Sequence, residues 1–509
     1  MNNITLLSLS YVLLNVIYLA TIIGYGRSFN LFFLKSNYFK EYQNLNFIFG
    51  LLILGIFSII YNYFFKLSDY YSITIITVGL IFYLISFIKE KYQSSLNLKK
   101  EIIFFLIIII ISFCFSFYSG LNNDYGYHYD TIKNFKNNTL FEITHHRMIS
   151  YNSHWLLLNS IFYLSFNYSS LFILTGLIYS ILLFDLFSLF NQKNKPEYDT
   201  LILYAFFSLV FFIGVLNKSE NYGTDFPGVI VCVYILLIFI NLIENIENKI
   251  DFKSFIIIFL LANFAFMIKI TNFLVYIFIF ISFLLLRKNS RSLLGLSLLF
   301  TFPIFLWMFQ NFVISKCLIW PISSICFYNV ELAKIEYYLI ESFAKGDIST
   351  SINTSGFSWV IVWLNNHLKK IIETYLLYFL IISIPLFFCK YKYKISYLKY
   401  FVEFFKTDKL KRFNNYLIPI IILNIIWFLL APAYRFGVFY NLSLIIFMII
   451  PFWIKMKKIE LQTFKKSIIY ILFISVLFFV YENFTRIEEY HYEYGKMWPP
   501  IISNELTKY

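Results

Sequence analysis

Long runs of apolar residues recur along the chain, separated by shorter polar segments. Runs of roughly 17–22 residues are long enough to cross a bilayer as α-helices. Apolar residues within a run are continuous and do not alternate with polar ones, so the pattern is not that of a membrane β-barrel. The sequence therefore predicts fourteen membrane-spanning helices, at residues 5–24, 46–64, 71–88, 102–118, 169–190, 200–216, 227–243, 254–270, 272–286, 293–313, 370–389, 416–431, 437–454 and 467–481.

Two apolar runs need separate treatment. The run 5–24 has no basic segment before it and no small-residue cleavage site, so we predict a retained helix and not a cleaved signal peptide. The run WLLLNSIFYLSF (155–166) is short for a bilayer crossing. It is predicted to be an interfacial segment or the first part of a bent helix.

Composition agrees with a membrane protein. Of the 509 residues, 60% are hydrophobic and 14% are charged, whereas a soluble chain carries about 25% charged residues. The predicted fold class is an all-α polytopic membrane protein with about 13–14 transmembrane helices and a large outer loop that carries interfacial helices.

The net charge of +14 is unevenly distributed. Of the 42 Lys and Arg residues, 27 lie in one alternate set of connecting segments, namely 25–45, 89–101, 191–199, 244–253, 287–292, 390–415 and 455–466. Because basic loops remain in the cytoplasm, this set is predicted to be cytoplasmic, and both termini are predicted to lie outside. The positive charge is therefore a topology signal, and no nucleic-acid partner is predicted.

The other set of segments holds the long loops 119–168 and 314–369 and the tail 482–509. Polar chemistry is therefore expected outside the cytoplasm. Cys317 and Cys326 share the second loop and could form a disulfide if that loop faces an oxidising compartment.

The first group of candidate residues lies in NNDYGYHYD (122–130), shortly after the fourth predicted span, and contains Asp124, His128 and Asp130. A carboxylate just above the hydrocarbon region can accept a proton from a substrate hydroxyl while a second substrate's tail stays in lipid. The same stretch contains ordinary turn residues, so a solvated loop at a helix end is the alternative.

Cations on the outer side form the second group. His146 and Arg147 lie in HHR (145–147), Lys269 ends a span, and Arg435 lies between two spans. The planar guanidinium of arginine matches phosphate oxygens. Because few cations are expected on this side, the three separated cations Arg147, Lys269 and Arg435 suit an anionic lipid-linked substrate with a phosphate or diphosphate head. The alternative is that these cations anchor the protein to lipid head groups.

Asp225 is the remaining candidate and lies at the mouth of an outward-facing helix pair. Together with Asp124 it could bind a divalent metal, although the chain has no HExxH and no paired CxxC spacing. The chain also lacks a phosphate-cradling glycine loop, a dinucleotide fingerprint and a GxSxG motif. No cofactor is predicted apart from this possible divalent metal.

The order of these motifs resembles the GT-C superfamily of polytopic membrane glycosyltransferases. More narrowly, it resembles a group of bacterial membrane proteins associated with cell-surface polysaccharide. The resemblance covers about residues 102–440 and rests on NNDYGYHYD (122–130), HHRMISYNSHW (145–155), SENYGTDFPG (219–228), MIKITN (267–272), WMFQNFVISKCLIWP (307–321) and APAYRFG (431–437). The chain departs from the pattern at Gln310, where Arg is expected, and at Ser315-Lys316-Cys317, where a glycine-containing loop is expected.

The resemblance implies transfer of a sugar from a polyprenyl-phosphate donor to a glycan, lipid or protein acceptor, with inversion at the sugar carbon. Asp124 would be the general base that deprotonates the acceptor hydroxyl. Arg147, Lys269 and Arg435 would stabilise the departing lipid phosphate.

The other predicted site residues would position the substrates: His128, His146, Asp130 and Asp225. Asp225 is also the second candidate for the base. The implied organisation is an N-terminal accessory unit (1–101), a GT-C-like core (102–440) and C-terminal helices with an outer tail (441–509). The implied location is the bacterial inner (plasma) membrane, with the active site facing outside the cytoplasm.

Two other classes of function stay open. A transporter or flippase of lipid-linked glycans would need polar residues on both faces, and Asp185, near an inner helix end, is the main candidate there. A polysaccharide polymerase or ligase would share the large outer loop and the lipid-phosphate chemistry. Such enzymes depend on outer-loop arginines more than on an early aspartate.

Overall fold

A computed structural model describes residues 2–34, 45–92, 98–116, 125–143, 149–165, 167–191, 199–214, 223–244, 252–286, 295, 300–346, 356–393 and 408–494. These residues contain seventeen α-helices, several short 3-10 segments and one π-helical segment at Asn30–Leu34, and their only β pairing is two isolated bridges. A helical fold is expected in lipid, because the backbone finds no partners in hydrocarbon and must form its hydrogen bonds within each segment.

The helices follow one another along the chain with mostly short connections. Their bounds are α1 Asn2–Phe29, α2 Leu45–Asn62, α3 Asp69–Tyr92, α4 Leu98–Ser116, α5 Tyr125–Asn137, α6 His154–Phe162, α7 Ile173–Phe190, α8 Asp199–Gly214, α9 Asp225–Glu244, α10 Phe252–Ile268, α11 Tyr276–Leu286, α12 Phe302–Ser315, α13 Val330–Lys345, α14 Trp359–Tyr393, α15 Asp408–Leu430, α16 Val438–Ile459 and α17 Leu461–Tyr494.

Every predicted span is covered, wholly or in large part, by helix. Among the described residues, nine helices are long and apolar enough to cross a membrane, and four shorter apolar helices accompany them. The remaining predicted span, 102–118, corresponds to α4. The all-helical fold and the multi-pass membrane character are therefore confirmed, whereas the number of crossings stays a prediction.

Ion pairs between helix ends show how the helices alternate in direction. Arg27, near the end of α1, lies 2.6 Å from Glu101 at the start of α4. Lys457, near the end of α16, lies 2.7 Å from Asp199 at the start of α8. All four residues belong to the segments predicted to be cytoplasmic, and we call this end of the bundle the basic end. The opposite end, where the candidate site lies, is called the site end.

The N-terminal helices belong to the main hydrophobic core. The hydroxyl of Tyr18 in α1 donates a hydrogen bond of 2.7 Å to the carbonyl of Phe162 in α6. Gly55 in α2 approaches the imidazole of His154 so closely that a Cβ atom at this position would overlap with the ring. The helices of the predicted accessory unit (1–101) therefore pack directly against the predicted GT-C-like core.

The first part of the short apolar run at 155–166 belongs to a buried helix, α6. All nine residues of α6 are buried, Ser153 caps its N-terminus by accepting from the Trp155 amide, and the helix ends at Phe162. The helix is therefore covered by protein on all sides, and whether it lies at the membrane interface stays a prediction. Nine residues are too few to cross a bilayer, but they can fill the space between spanning helices.

The predicted outer loop 314–369 is partly helical. It contains α13, and α14 begins at Trp359, eleven positions before the predicted span at 370. Cys317 and Cys326 form a disulfide that closes the start of the loop, and the backbone N–H of Phe327 also donates to the Lys316 carbonyl over 2.9 Å. The predicted disulfide is thereby confirmed.

Candidate functional site

Three of the predicted site residues meet at the site end of the bundle: Asp225, Lys269 and Arg435. The Lys269 ammonium forms an ion pair with Oδ1 of Asp225. Nε of Arg435 lies 3.6 Å from Oδ2 of the same carboxylate. The two cations thus approach different oxygens of one carboxylate, and the three side chains together carry one surplus positive charge.

Each member of this charged cluster stands at the end of a helix. Asp225 is the first residue of α9, where the helix dipole favours a negative side chain. Lys269 follows α10 directly and has an extended backbone before a 3-10 turn, Ile270–Val275. Arg435 lies in the 3-10 turn Tyr434–Phe436 between α15 and α16. Residues at helix ends remain polar in a membrane protein because they lie near the interface.

Hydrogen bonds from side chains to backbone carbonyls, and a close approach at Gly228, hold the three helix ends together. The Tyr440 hydroxyl in α16 donates to the Thr271 carbonyl over 3.2 Å, which links the Arg435 segment to the turn after Lys269. The Asn272 side chain donates to the Ala265 carbonyl over 3.0 Å. A Cβ atom at Gly228 would overlap with the same Asn272 amide, so the absence of a side chain lets α9 approach this turn.

Aromatic rings cover the cations. The Lys269 ammonium lies 4.1 Å from the ring centre of Phe436. The Arg435 guanidinium lies 5.2 Å from the ring of Phe343 and 5.4 Å from that of Phe436. Because Phe343 belongs to α13, the outer-loop helix contributes directly to the site. Rings at these distances attract cations and shield them from water.

Contacts on both sides of Phe343 hold α13 in place. The Tyr151 hydroxyl donates to the buried carboxylate of Glu336 over 2.5 Å. Lys345 forms an ion pair with Glu341 and lies 5.3 Å from the ring centre of Trp359, the first residue of α14. The helix is thus joined to YNSHW at one point and to α14 at another.

A row of buried polar side chains lies behind the charged cluster. Ser153 donates to the Ile268 carbonyl over 2.7 Å, one residue before Lys269. The Asn152 side-chain amide donates to Gln310 over 3.2 Å, and the Trp307 indole donates to the Asn152 carbonyl over 2.9 Å. Three sequence motifs that lie far apart along the chain therefore converge at this end.

These contacts explain why the chain has Gln310 at the position where the family pattern suggested Arg. Its side chain is 1% exposed and accepts a hydrogen bond from a neutral amide. An arginine at this position would bring a charge into a buried and uncharged contact, which costs free energy unless a partner compensates it. Gln310 is therefore a packing partner of Asn152 and not a ligand of the charged cluster.

The other predicted site residues have different positions. His128 is buried in α5, and Asp130 is exposed on the same helix. Lys136 anchors α5 to the bundle through an ion pair of 2.5 Å with Asp69 at the start of α3. Three predicted site residues, Asp124, His146 and Arg147, lie outside the described residues. Their predicted roles stay predictions.

A metal at Asp225 would compete with the two cations. Both carboxylate oxygens already face Lys269 or Arg435, so a divalent ion would have to displace one of them. Within the part of the chain that the structure describes, no group of three or more His, Cys, Asp or Glu residues could hold a metal ion. The predicted metal site at Asp124 and Asp225 stays a prediction, because Asp124 lies outside that part.

Sequence reasoning missed the aromatic and acidic residues that support the cluster. Phe343 and Phe436 are two of 64 phenylalanines, and nothing in the pattern distinguishes them. Glu336 belongs to the predicted outer loop 314–369, whose acidic residues form no recognisable motif. A helical period over 330–345, with Ala333, Glu336 and Ala344 on the buried face, is the one signal that could have identified α13.

The fold and the site define a class: an all-α, multi-pass membrane protein with a charged cluster where three helix ends meet. The chain belongs to the family described as a domain of unknown function (DUF8201), whose model matches residues 9–442. No curated protein and no solved structure gives a significant match to the chain. The matched region includes most of the predicted accessory unit as well as the predicted core, so the family model treats them as one continuous unit.

Proposed function

We propose that the protein is a membrane glycosyltransferase of GT-C type that uses a polyprenyl-phosphate sugar as donor. The acceptor is a glycan, lipid or protein of the cell envelope. Lys269 and Arg435 bind the phosphate of the donor, Asp225 sets their charge balance, and Asp124 is the general base. The observation that carries this proposal is the meeting of Asp225, Lys269 and Arg435 at one end of the bundle.

The reaction begins when Asp124 accepts the proton of the acceptor hydroxyl. The acceptor oxygen then attacks the anomeric carbon from the face opposite the phosphate. A new carbon–oxygen bond forms as the bond between the sugar and the lipid phosphate breaks. The electron pair of the broken bond remains on the phosphate, so the sugar configuration is inverted and the phosphate gains one negative charge.

Lys269 and Arg435 suit the stabilisation of that charge. They lie next to each other although 166 positions separate them in the sequence, and aromatic rings cover both. Preorganised cations that protein groups partly shield from water stabilise developing charge more strongly than they would in bulk solvent. The Arg435 side chain is 44% exposed, so a ligand can reach it.

The disulfide supports a location outside the cytoplasm. Cys317 and Cys326 are bonded in the same loop that presents Phe343 to Arg435. Disulfides persist in oxidising compartments and are rare in the cytosol. The distribution of Lys and Arg favours the same orientation, and we propose the bacterial plasma membrane as the location.

A transporter is supported less well. Asp185, its main candidate residue, is 5% exposed and accepts a hydrogen bond of 2.7 Å from the Tyr234 hydroxyl. A carboxylate paired in this way between two buried helices is a structural contact and does not line a path. A polymerase or ligase would use the same anion site, and the identity of the acceptor distinguishes it from the transferase.

The test uses purified protein and polyprenyl-phosphate glucose, mannose and galactose as donors, with membranes from the source cells as acceptor. Released polyprenyl phosphate and labelled glycan are measured. Asp124→Asn should lower the turnover by at least roughly a hundredfold, since a general base contributes that much or more. Arg435→Ala should raise the donor KM by roughly tenfold or more, because hydrogen bonds to charged groups are strong.

Lys334→Ala is the matched control for Arg435. Lys334 is an exposed cation on α13 at the same end, paired only with Glu331 among the described ion pairs. Its removal should leave the donor KM unchanged. Full activity in Asp124→Asn would disprove the base assignment. A change in acceptor KM alone in Arg435→Ala would disprove the phosphate role.

A further inference from the structure

We infer that Asp225 is an internal counter-ion that lowers the preference of the Lys269–Arg435 site for doubly charged phosphate groups, so that a singly charged phosphodiester can compete for it. The inference rests on the proposed function, since it defines the charge of the group bound at the same site. It assigns Asp225 a role in charge selection, which differs from the base, the metal ligand and the simple positioning residue considered above.

The geometry supports this role because Asp225 contacts both cations. Lys269 approaches one carboxylate oxygen and Arg435 the other, so each cation loses part of its attraction for an external anion. The formal charges of Asp225, Lys269 and Arg435 sum to +1. A phosphodiester carries one negative charge and neutralises it. A phosphate monoester carries about −1.5 to −2 near pH 7 and leaves negative charge in excess.

The surroundings strengthen the effect. The side chains of Lys269 and Asp225 are only 19% and 21% exposed, and Phe343 and Phe436 cover the cations. Charge interactions grow as the local dielectric constant falls, so an unmatched charge is costlier here than on an open surface. Arg435 stands 3.6 Å from the carboxylate, which is longer than the ~2.8 Å of a strong charged hydrogen bond. A ligand can therefore contact the guanidinium without breaking a short bond to Asp225.

The same charge balance has a consequence for turnover. Sugar transfer converts a phosphodiester of charge −1 into a phosphate monoester with about one more negative charge. Asp225 repels this product more than it repels the donor. The carboxylate therefore favours replacement of the polyprenyl-phosphate product by a new donor. It also disfavours lipid diphosphates as ligands.

The experiment measures binding and requires no sugar transfer. Three isoprenyl probes are titrated into wild-type protein and Asp225→Asn in detergent at pH 7.5: methyl farnesyl phosphate, farnesyl phosphate and farnesyl diphosphate. Inorganic phosphate is a fourth probe, which separates recognition of the headgroup from recognition of the lipid. Glu331→Gln is the matched control, because it removes an exposed carboxylate from α13 at the same end.

Loss of one negative charge should tighten binding in proportion to the charge of the ligand. We expect Asp225→Asn to lower the Kd of the phosphodiester by roughly threefold, and that of the monoester and diphosphate by roughly tenfold or more. Glu331→Gln should change none of these values. The double variant Asp225→Asn/Lys269→Gln restores the surplus of one positive charge and should return the selectivity toward that of wild type.

Weaker or unchanged binding of all three isoprenyl probes in Asp225→Asn would overturn the counter-ion role. If Asp225→Asn does not fold, Lys269→Gln alone provides the test: it lowers the site charge to zero and should weaken the monoester more than the diester. Equal weakening of both would contradict the inference. If wild type binds none of the isoprenyl probes, the proposed function fails as well. If the selectivity shifts as expected but no donor is turned over, only the proposed transfer reaction fails.

Discussion

At the residue scale, the charged cluster brings together three ionisable side chains from distant parts of the chain, those of Asp225, Lys269 and Arg435. Asp225, Lys269 and Arg435 were each identified because an ionisable residue near a span end needs a reason. Their meeting could not be predicted, because it depends on how α9, α10 and the α15–α16 turn pack. The surplus charge of the cluster became visible only once the ion pairs were known.

His154 is the residue for which the structure makes the clearest prediction about pH. Its imidazole is fully buried, neither nitrogen has a hydrogen-bond partner among the described residues, and burial lowers its pKa to about 3. In the unfolded chain the pKa is about 6.5. The unfolded state therefore binds a proton between these values and the folded state does not, so stability falls as the pH decreases below about 6.5.

We expect His154 to cost the fold about 2 kcal/mol between pH 7 and pH 5. The thermal midpoint in detergent should decrease over this range, and His154→Leu should remove that part of the decrease. The comparison of wild type with the variant at each pH cancels the contributions of other titrating groups. An identical pH dependence in both proteins would show that the imidazole is not buried in the neutral form.

At the scale of elements, the spanning helices were predictable and the segments between them were not. Where the structure describes them, all fourteen predicted spans are wholly or largely helical, because the membrane requires the backbone to form its own hydrogen bonds. The start of α14 was predicted too late, since NNHLKK (365–370) reads as a loop although these mostly exposed residues continue the helix. The run at 155–166 was ambiguous, because burial by protein and burial by lipid select the same residues.

The outer-loop helix α13 makes a prediction of its own. Phe343 lies 5.2 Å from the Arg435 guanidinium, and a cation over an aromatic face gains about 1 kcal/mol. Phe343→Ala should therefore weaken binding of methyl farnesyl phosphate by roughly threefold to fivefold. The mechanism is loss of the surface that orients Arg435.

Tyr338→Ala is the matched control, since it removes an aromatic side chain that is 47% exposed on the same helix. The affinity of Tyr338→Ala for methyl farnesyl phosphate should equal that of wild type. If both variants bind equally well, α13 does not contribute to the site. If Phe343→Ala also lowers the thermal midpoint of the protein substantially, Phe343→Leu separates loss of the ring from loss of packing.

At the scale of the whole molecule, two independent observations agree on direction. The basic end joins segments rich in Lys and Arg, and its ion pairs tie α1 to α4 and α8 to α16. The site end holds the disulfide, α13 and the charged cluster. Positive charge predicts a cytoplasmic location for the first end, and the disulfide favours an oxidising compartment for the second.

Labelling of single cysteines in intact cells tests this orientation. The background carries Cys114→Ser, because Cys114 is the exposed free cysteine of the described residues, whereas Cys232 and Cys389 are buried and Cys317 is bonded to Cys326. Glu331→Cys introduces an exposed thiol at the site end, and Lys465→Cys one at the basic end. A membrane-impermeant maleimide should label Glu331→Cys in intact cells and Lys465→Cys only after permeabilisation.

The reverse pattern would place the charged cluster in the cytoplasm and remove the basis for an extracytoplasmic transfer reaction. Labelling of both positions in intact cells would show that the helices do not alternate as the ion pairs indicate.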